Sequence, residues 1–197
     1  LYVAFHLQIV LGMDPLPAGL ATLPMTLMIM ITAPVATKLL PAIGPRPMMI
    51  GGPLISAVGV IYLSRITADG SYVVQVMPAL IVLGIGMAFV FVPLQNLALT
   101  GVKPQDAGAA SATLNSALQI GGSIGLSVFT ALYASAVAGY DGGGSELDAF
   151  TSGYSAAFLA AAIGLVLASI IAAVFIRGSK SELLPQDSDH EAAVPVH

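Results

Sequence analysis

Gln105-Asp106-Ala107-Gly108-Ala109-Ala110-Ser111-Ala112-Thr113-Leu114-Asn115-Ser116-Ala117-Leu118-Gln119-Ile120-Gly121-Gly122-Ser123-Ile124-Gly125 is the stretch on which the fold turns. At about 100° per residue, Gly108, Ser111, Ala112, Asn115, Gln119 and Gly122 share one helical stripe, while Ala110, Thr113, Ala117, Ile120, Ile124 and Val128 take the far face. A soluble helix would flank its polar stripe with charge. No charged residue occurs between Asp106 and Asp141, so these amides face something other than bulk water. A membrane helix that turns its small and polar side toward other helices satisfies that pattern.

Composition agrees. Hydrophobic residues make up 57% of the chain and charged residues 8%, against roughly 25% charged in an ordinary globular domain. The net charge is −4. Much of the acid lies in the tail and in one loop, which leaves no footprint for nucleic acid. The absence of cysteine excludes disulfides, thiol catalysis and cysteine-based metal sites.

Leu1 to Gly12 is apolar, but at about 1.5 Å per residue it covers only about 18 Å of a roughly 30 Å hydrocarbon core. No basic n-region precedes it, so it reads as the second half of a span rather than a signal peptide. The chain is therefore expected to be a C-terminal piece of a longer protein. Complete apolar runs follow at Ala18 to Leu40, Met48 to Ser64, Val73 to Thr100, from the opening stretch to Ala138, and at Tyr154 to Ile176. Pro24 and Pro34 inside the first of these suit a membrane helix, whose neighbours can satisfy the freed carbonyls. The connections are the proline-rich turn Met13 to Pro17, then Pro41 to Pro47, Arg65 to Ser71, Lys103 to Asp106, and the acidic Gly139 to Asp148. Residues 178–197 are polar and read as a disordered tail.

With alternating sides, Lys38, Arg46, Lys103, Arg177 and Lys180 fall on the side of the tail, and Arg65 falls opposite. The positive-inside rule then predicts a cytoplasmic C-terminus, with Arg46, Lys103 and Asp106 in cytoplasmic loops.

Gly84-x-Gly86, Gly121-Gly122 with Gly125, and Gly51-Gly52 lie inside apolar runs and lack the strand–turn–helix setting of a nucleotide site. Gly84, Gly86, Gly108, Gly121 and Gly125 are read as close helix-packing positions or, with Pro93, as hinges near a substrate path. Asn115, Gln119, Ser111 and Gly122 are the candidates for lining a substrate cavity. Packing against a neighbouring helix is the competing role. Gln95 and Asn96 sit near a span end, as interface or loop anchors. His6 lies in the partial first helix; a membrane histidine can relay protons, although near a span end it is more often a packed or interfacial ring. Tyr62, Tyr72, Tyr133, Tyr140 and Tyr154 are expected to form an aromatic belt at the outer ends. Met25, Met28, Met30, Met48 and Met49 read as packing or lipid-facing residues. Ser111, Ser116 and Ser123 have no Lys or His partner, so no catalytic residue, metal or cofactor is expected. No Asp, Glu, Lys or Arg lies near the centre of any complete span, so an ion-coupling group of the usual kind would have to lie upstream.

Several features recur in a recognisable order: Phe5-His6-Leu7-Gln8-Ile9-Val10-Leu11-Gly12-Met13-Asp14-Pro15-Leu16, Ala18-Gly19-Leu20-Ala21-Thr22-Leu23-Pro24, Gly44-Pro45-Arg46-Pro47, Gly84-Ile85-Gly86-Met87 with Val92-Pro93, and Asp106-Ala107-Gly108-Ala109-Ala110-Ser111 with Asn115, Gln119 and Gly121-Gly122. In this order and spacing residues 1–177 resemble the C-terminal six helices of the major facilitator superfamily, in its fourteen-helix drug:proton antiporter branch (EmrB/QacA type). The expected fold is thus an all-α membrane half-bundle, a partial first helix plus five complete spans. The resemblance implies an inner-membrane, multi-pass exporter of small amphiphilic compounds, driven by protons through alternating access. Its partners would be the lipid bilayer and the N-terminal helices of the same protein. The branch's antiporter motif and proton-carrying acids would belong to those earlier helices. Gly51-Gly52-Pro53 echoes that motif in the wrong helix and is not assigned its role. His6 stands where an aromatic residue is expected, and Gln119 where relatives often carry a polar or basic one. The alternatives are a nutrient or metabolite permease, an intramembrane enzyme, and a membrane protein that does not transport.

Overall fold

A computed structural model describes residues 2–67, 70–140 and 146–176. The tail at 178–197, together with Arg177 and Lys180, lies outside the described residues. Among the described residues the structure is helical throughout. Helix α1 (Tyr2–Phe5) runs into a π-wound turn (His6–Val10), followed by α2 (Pro15–Leu20), α3 (Leu23–Ile43) and α4 (Pro45–Leu63). A second π-wound turn (Tyr72–Val76) leads into α5 (Met77–Leu99), a short 3-10 turn (Pro104–Asp106) into α6 (Ala107–Ala138), and α7 (Glu146–Phe175) closes the bundle. Among the described residues, five helical stretches are long and apolar enough to cross a bilayer: Pro15–Ile43, Pro45–Leu63, Tyr72–Leu99, Pro104–Ala138 and Leu147–Phe175.

Three boundaries differ from the sequence reading, each for a local reason. Pro24 lies not within a continuous helix but in the first turn of α3, just after the break at Ala21 and Thr22, where its missing N–H costs nothing. The expected connection from Pro41 to Pro47 shrinks to Gly44 alone, at φ 83 and ψ 167, a backbone region open essentially to glycine. Pro45 then occupies the first position of α4. Helix α7 begins at Glu146, well before the expected Tyr154. Its first residues are the acidic ones assigned to the loop, and acids favour a helix N-terminus.

Carbonyls freed by these breaks find tyrosines. An α-helix would pair the Val74 carbonyl with the N–H that Pro78 lacks; here the Tyr62 hydroxyl donates to it at 2.9 Å. The Ala21 carbonyl, at the junction of α2 and α3, accepts the Tyr72 hydroxyl at 2.7 Å. Each contact removes an unpaired polar group from apolar surroundings.

The helices neighbour one another in the order α3–α5–α4–α7–α6, and α6 touches α5 only slightly. The main core lies at one end of the bundle, where Leu7, Leu63, Val76, Leu80, Tyr154 and Phe158 are buried together. A smaller cluster of Ala36, Leu40 and Met48, with Phe89 and Val92 against it, fills the opposite end. At that end Arg46 donates to the Ala173 carbonyl at 3.1 Å, tying the start of α4 to the last turn of α7. Many large apolar side chains remain exposed, including Leu27, Met30, Ile31, Ile163, Ile170 and Phe175. This is the surface a lipid environment accepts and water does not.

Glycine sets the spacing of α4 and α5. A Cβ on Gly52 would come within 2.9 Å of the Gly86 carbonyl oxygen, and one on Gly59 within 2.9 Å of the Ala79 carbonyl oxygen. A Cβ on Gly86 would run into the Ser56 hydroxyl and lie 2.7 Å from the Gly52 carbonyl oxygen. A Cβ on Gly84 would meet Met25 backbone oxygen at 2.5 Å, which seats α5 on α3. Gly164, by contrast, has open space at that position. Gly86→Val is therefore expected to lower stability by about 1–3 kcal/mol, and Gly164→Ala to stay within about 0.5 kcal/mol, both read by thermal unfolding in detergent. Gly44→Ala must adopt a backbone conformation alanine resists, and should cost about 1–3 kcal/mol in the same assay.

Candidate functional site

Helix α6 is the least covered element, and none of its residues is buried. It lies along α7 by one edge. Asn115, Gln119 and Gly122 are exposed and Ser111 is half-buried. The Asn115 side-chain amide donates to the Ser111 carbonyl of its own helix at 3.0 Å. Thr113 and Ser123 likewise bond back to the carbonyls of Ala109 and Gln119 at 2.9 Å and 2.8 Å. Such local bonds satisfy hydroxyls and amides where no neighbouring helix offers a partner. The stripe is thus a continuous surface of small and amide side chains over about 22 Å of helix, without a charge on it.

The glycines divide into two groups. Gly84 and Gly86 are buried packing contacts, and Pro93 is buried within α5. Gly108, Gly121 and Gly125 make no close contact with another helix among the described residues. Added Cβ atoms on Gly108, Gly121 and Gly122 meet nothing within 4 Å, and one on Gly125 meets only Phe129 of its own helix at 3.8 Å. Whatever needs small residues there lies outside the described contacts of α6.

Arg46, Lys103 and Asp106 are exposed. The bond from Arg46 to Ala173 sets the start of α4 beside the end of α7, on the side to which the sequence assigned both. At the close of α5, Gln95, Asn96, Leu99 and Thr100 line a shallow recess of about 190 Å³. A larger apolar recess of about 300 Å³ lies between α4, α5, α6 and α7, with Ser56, Met87, Phe129 and Leu165 in its wall. The Ser56 hydroxyl is buried there without a hydrogen-bond partner. Among the described residues, no group of three His, Asp or Glu could hold a metal ion.

Sequence reasoning missed the aromatic cluster at the other end. Tyr154 is fully buried rather than interfacial. Its ring stacks on Tyr133 at 5.2 Å, and Tyr2 lies 5.6 Å from Tyr133 and 6.3 Å from Tyr154. His6 meets Tyr154 edge to face at 5.8 Å, and Tyr2 shares a hydrogen bond of 2.8 Å with Thr130. Spacing did carry a signal: Tyr2 and His6 lie four residues apart, on one helical face.

Residues 1–196 match the family model of the Major Facilitator Superfamily. The chain is 33% identical over 190 residues to the puromycin resistance protein pur8 of Streptomyces alboniger, covering 92% of this chain and 38% of that protein. It is 33% identical over 136 residues to the tetracenomycin C resistance and export protein of Streptomyces glaucescens, covering 69% and 25%. To the cephamycin export protein CmcT of Amycolatopsis lactamdurans it is 30% identical over 174 residues, covering 88% and 35%. The chain thus spans between a quarter and two fifths of the length of these relatives. With its five apolar spans and its bundle of glycine-packed helices, it is a multi-pass membrane chain that belongs to the Major Facilitator Superfamily of transporters.

Proposed function

We propose that the intact protein exports small amphiphilic compounds, antibiotics among them, across the cell membrane in exchange for protons by alternating access. The observation that carries this reading is the uncovered face of α6. Burying it against lipid would leave the Gln119 amide and the remaining donor and acceptor of Asn115 in hydrocarbon, which costs free energy unless they find partners. Facing a water-filled cavity closed by the N-terminal helices of the same protein, they keep their hydration and stay available to a substrate. Asn115, Gln119, Ser111 and Gly122 then line that cavity. Gly108, Gly121 and Gly125 leave room for a substrate or an opposing helix. An uncharged lining that mixes amides with alanine and glycine suits amphiphilic molecules better than ions or sugars. The names of the three relatives, all resistance or export proteins, support the same class of substrate. The basic residues Lys38, Arg46 and Lys103 put the C-terminal end of α7 on the cytoplasmic side.

Transport assays in vesicles holding the full-length protein test the cavity. Asn115→Leu and Gln119→Leu should each raise the half-saturating substrate concentration about three- to thirty-fold, the range of a lost hydrogen bond in a membrane interior, with the protein level unchanged. Unaltered kinetics with several substrates would remove both residues from the cavity. The chain expressed alone in a drug-sensitive host should confer no resistance, because a binding site between two halves needs both of them. Co-expression with the N-terminal helices should restore resistance.

A further inference from the structure

The aromatic cluster holds two polar atoms that the fold does not satisfy. His6 is 1% exposed and Tyr154 0%. The Nδ1 atom of His6 and the hydroxyl of Tyr154 are both buried without a hydrogen-bond partner. Tyr133 stacks on the ring of Tyr154 and leaves the Tyr154 hydroxyl without a hydrogen bond. The two unpaired groups are complementary in kind, since a neutral imidazole nitrogen accepts and a phenol donates. They sit on rings 5.8 Å apart, perpendicular to each other, and on different helices. Leaving both unpaired costs about 1–3 kcal/mol each, so the site is built to be completed.

We propose that His6 is a proton-binding site, and that its occupancy is linked to the packing of α1 on α6 and α7. In the packed form the imidazole is neutral and stands edge to face with the ring of Tyr154. Proton uptake adds H⁺ from water to the Nδ1 lone pair, and the site gains one positive charge. Release returns the same proton to water.

The groups around His6 fix the direction of the linkage. Those on the elements packed against it are Tyr2 on α1, Tyr133 on α6, Tyr154 and Asp148 on α7, and Asp14 just before α2. The Nδ1 atom of His6 has no carboxylate as a hydrogen-bond partner. A buried cation without a counter-ion is costly, so the protonated ring draws away from the three tyrosines toward water and takes α1 with it. Acid conditions therefore loosen α1 and alkaline conditions seat it. The proposal needs only this packing, and stands whether or not export is driven by protons.

The test uses the full-length protein in lipid bilayers with ¹⁵N-labelled histidine. The His6 ring nitrogens are expected to pass from singly to doubly protonated as the pH falls from about 8 to about 4, a window that extends below the ordinary histidine range because the buried cation is costly. Tyr154→Phe should shift the midpoint by about 0.5 pH units. In hydrogen–deuterium exchange, corrected for the intrinsic effect of pH, the amides of residues 2–10 should exchange about tenfold faster at pH 5 than at pH 8, and His6→Gln should abolish that difference. A His6 ring that does not titrate over this range overturns the site. Titration without any change in exchange overturns the linkage. Both are read on the unsubstituted protein, so neither depends on whether a variant folds.

Discussion

Inside hydrocarbon no water stands ready to pair with a backbone amide, and the architecture follows from that one constraint. Every span must be a helix, and the helices gain nothing from merely hiding apolar surface from one another. They associate by close van der Waals contact instead, which requires small residues at the crossing. Gly52, Ser56 and Gly59 on α4 meet Ala79 and Gly86 on α5 at distances that no other side chain would allow. The same contact leaves the bulky residues Leu27, Ile31 and Ile163 on the outside, where lipid is an adequate solvent for them.

Proline obeys the same accounting. A soluble protein would let water cover a carbonyl that lost its helical N–H. Here tyrosine hydroxyls do so at Val74 and Ala21, each reaching from a different helix or turn. The tyrosines near the span ends are therefore more than markers of an interface. Tyr62 and Tyr72 complete the backbone of their neighbours, and Tyr154 supplies buried aromatic volume between α1 and α6.

The spans were legible in the sequence because apolar length is a property of a continuous segment. Their ends were less so. Whether Glu146 belongs to a loop or a helix depends on end effects of about 0.3–1 kcal/mol, which composition does not resolve. The polar stripe on α6 was equally legible, since it needs only the helical period. What covers the stripe was not, because that depends on residues beyond α6. The family likeness could be read from the ordered motifs, and the match to the Major Facilitator Superfamily agrees with it. The cluster of His6 with Tyr154 had no such signal: the pair joins opposite ends of the chain, and only the folded arrangement of α1 beside α7 brings it together.

Gly44 has a mechanical consequence. A single residue joins α3 to α4, and the two helices barely touch beyond it. They diverge like the legs of a compass, and α5 fills the angle between them, in extensive contact with both. Closing or opening that angle would mean expelling α5 from its glycine-lined seats, so the three helices can only travel as one wedge. Helix α6 meets that wedge mainly through α7, which packs on α4 and is tied to its start by Arg46. A force applied at the Gly44 vertex would act on three spans together and reach the polar face of α6 through α7.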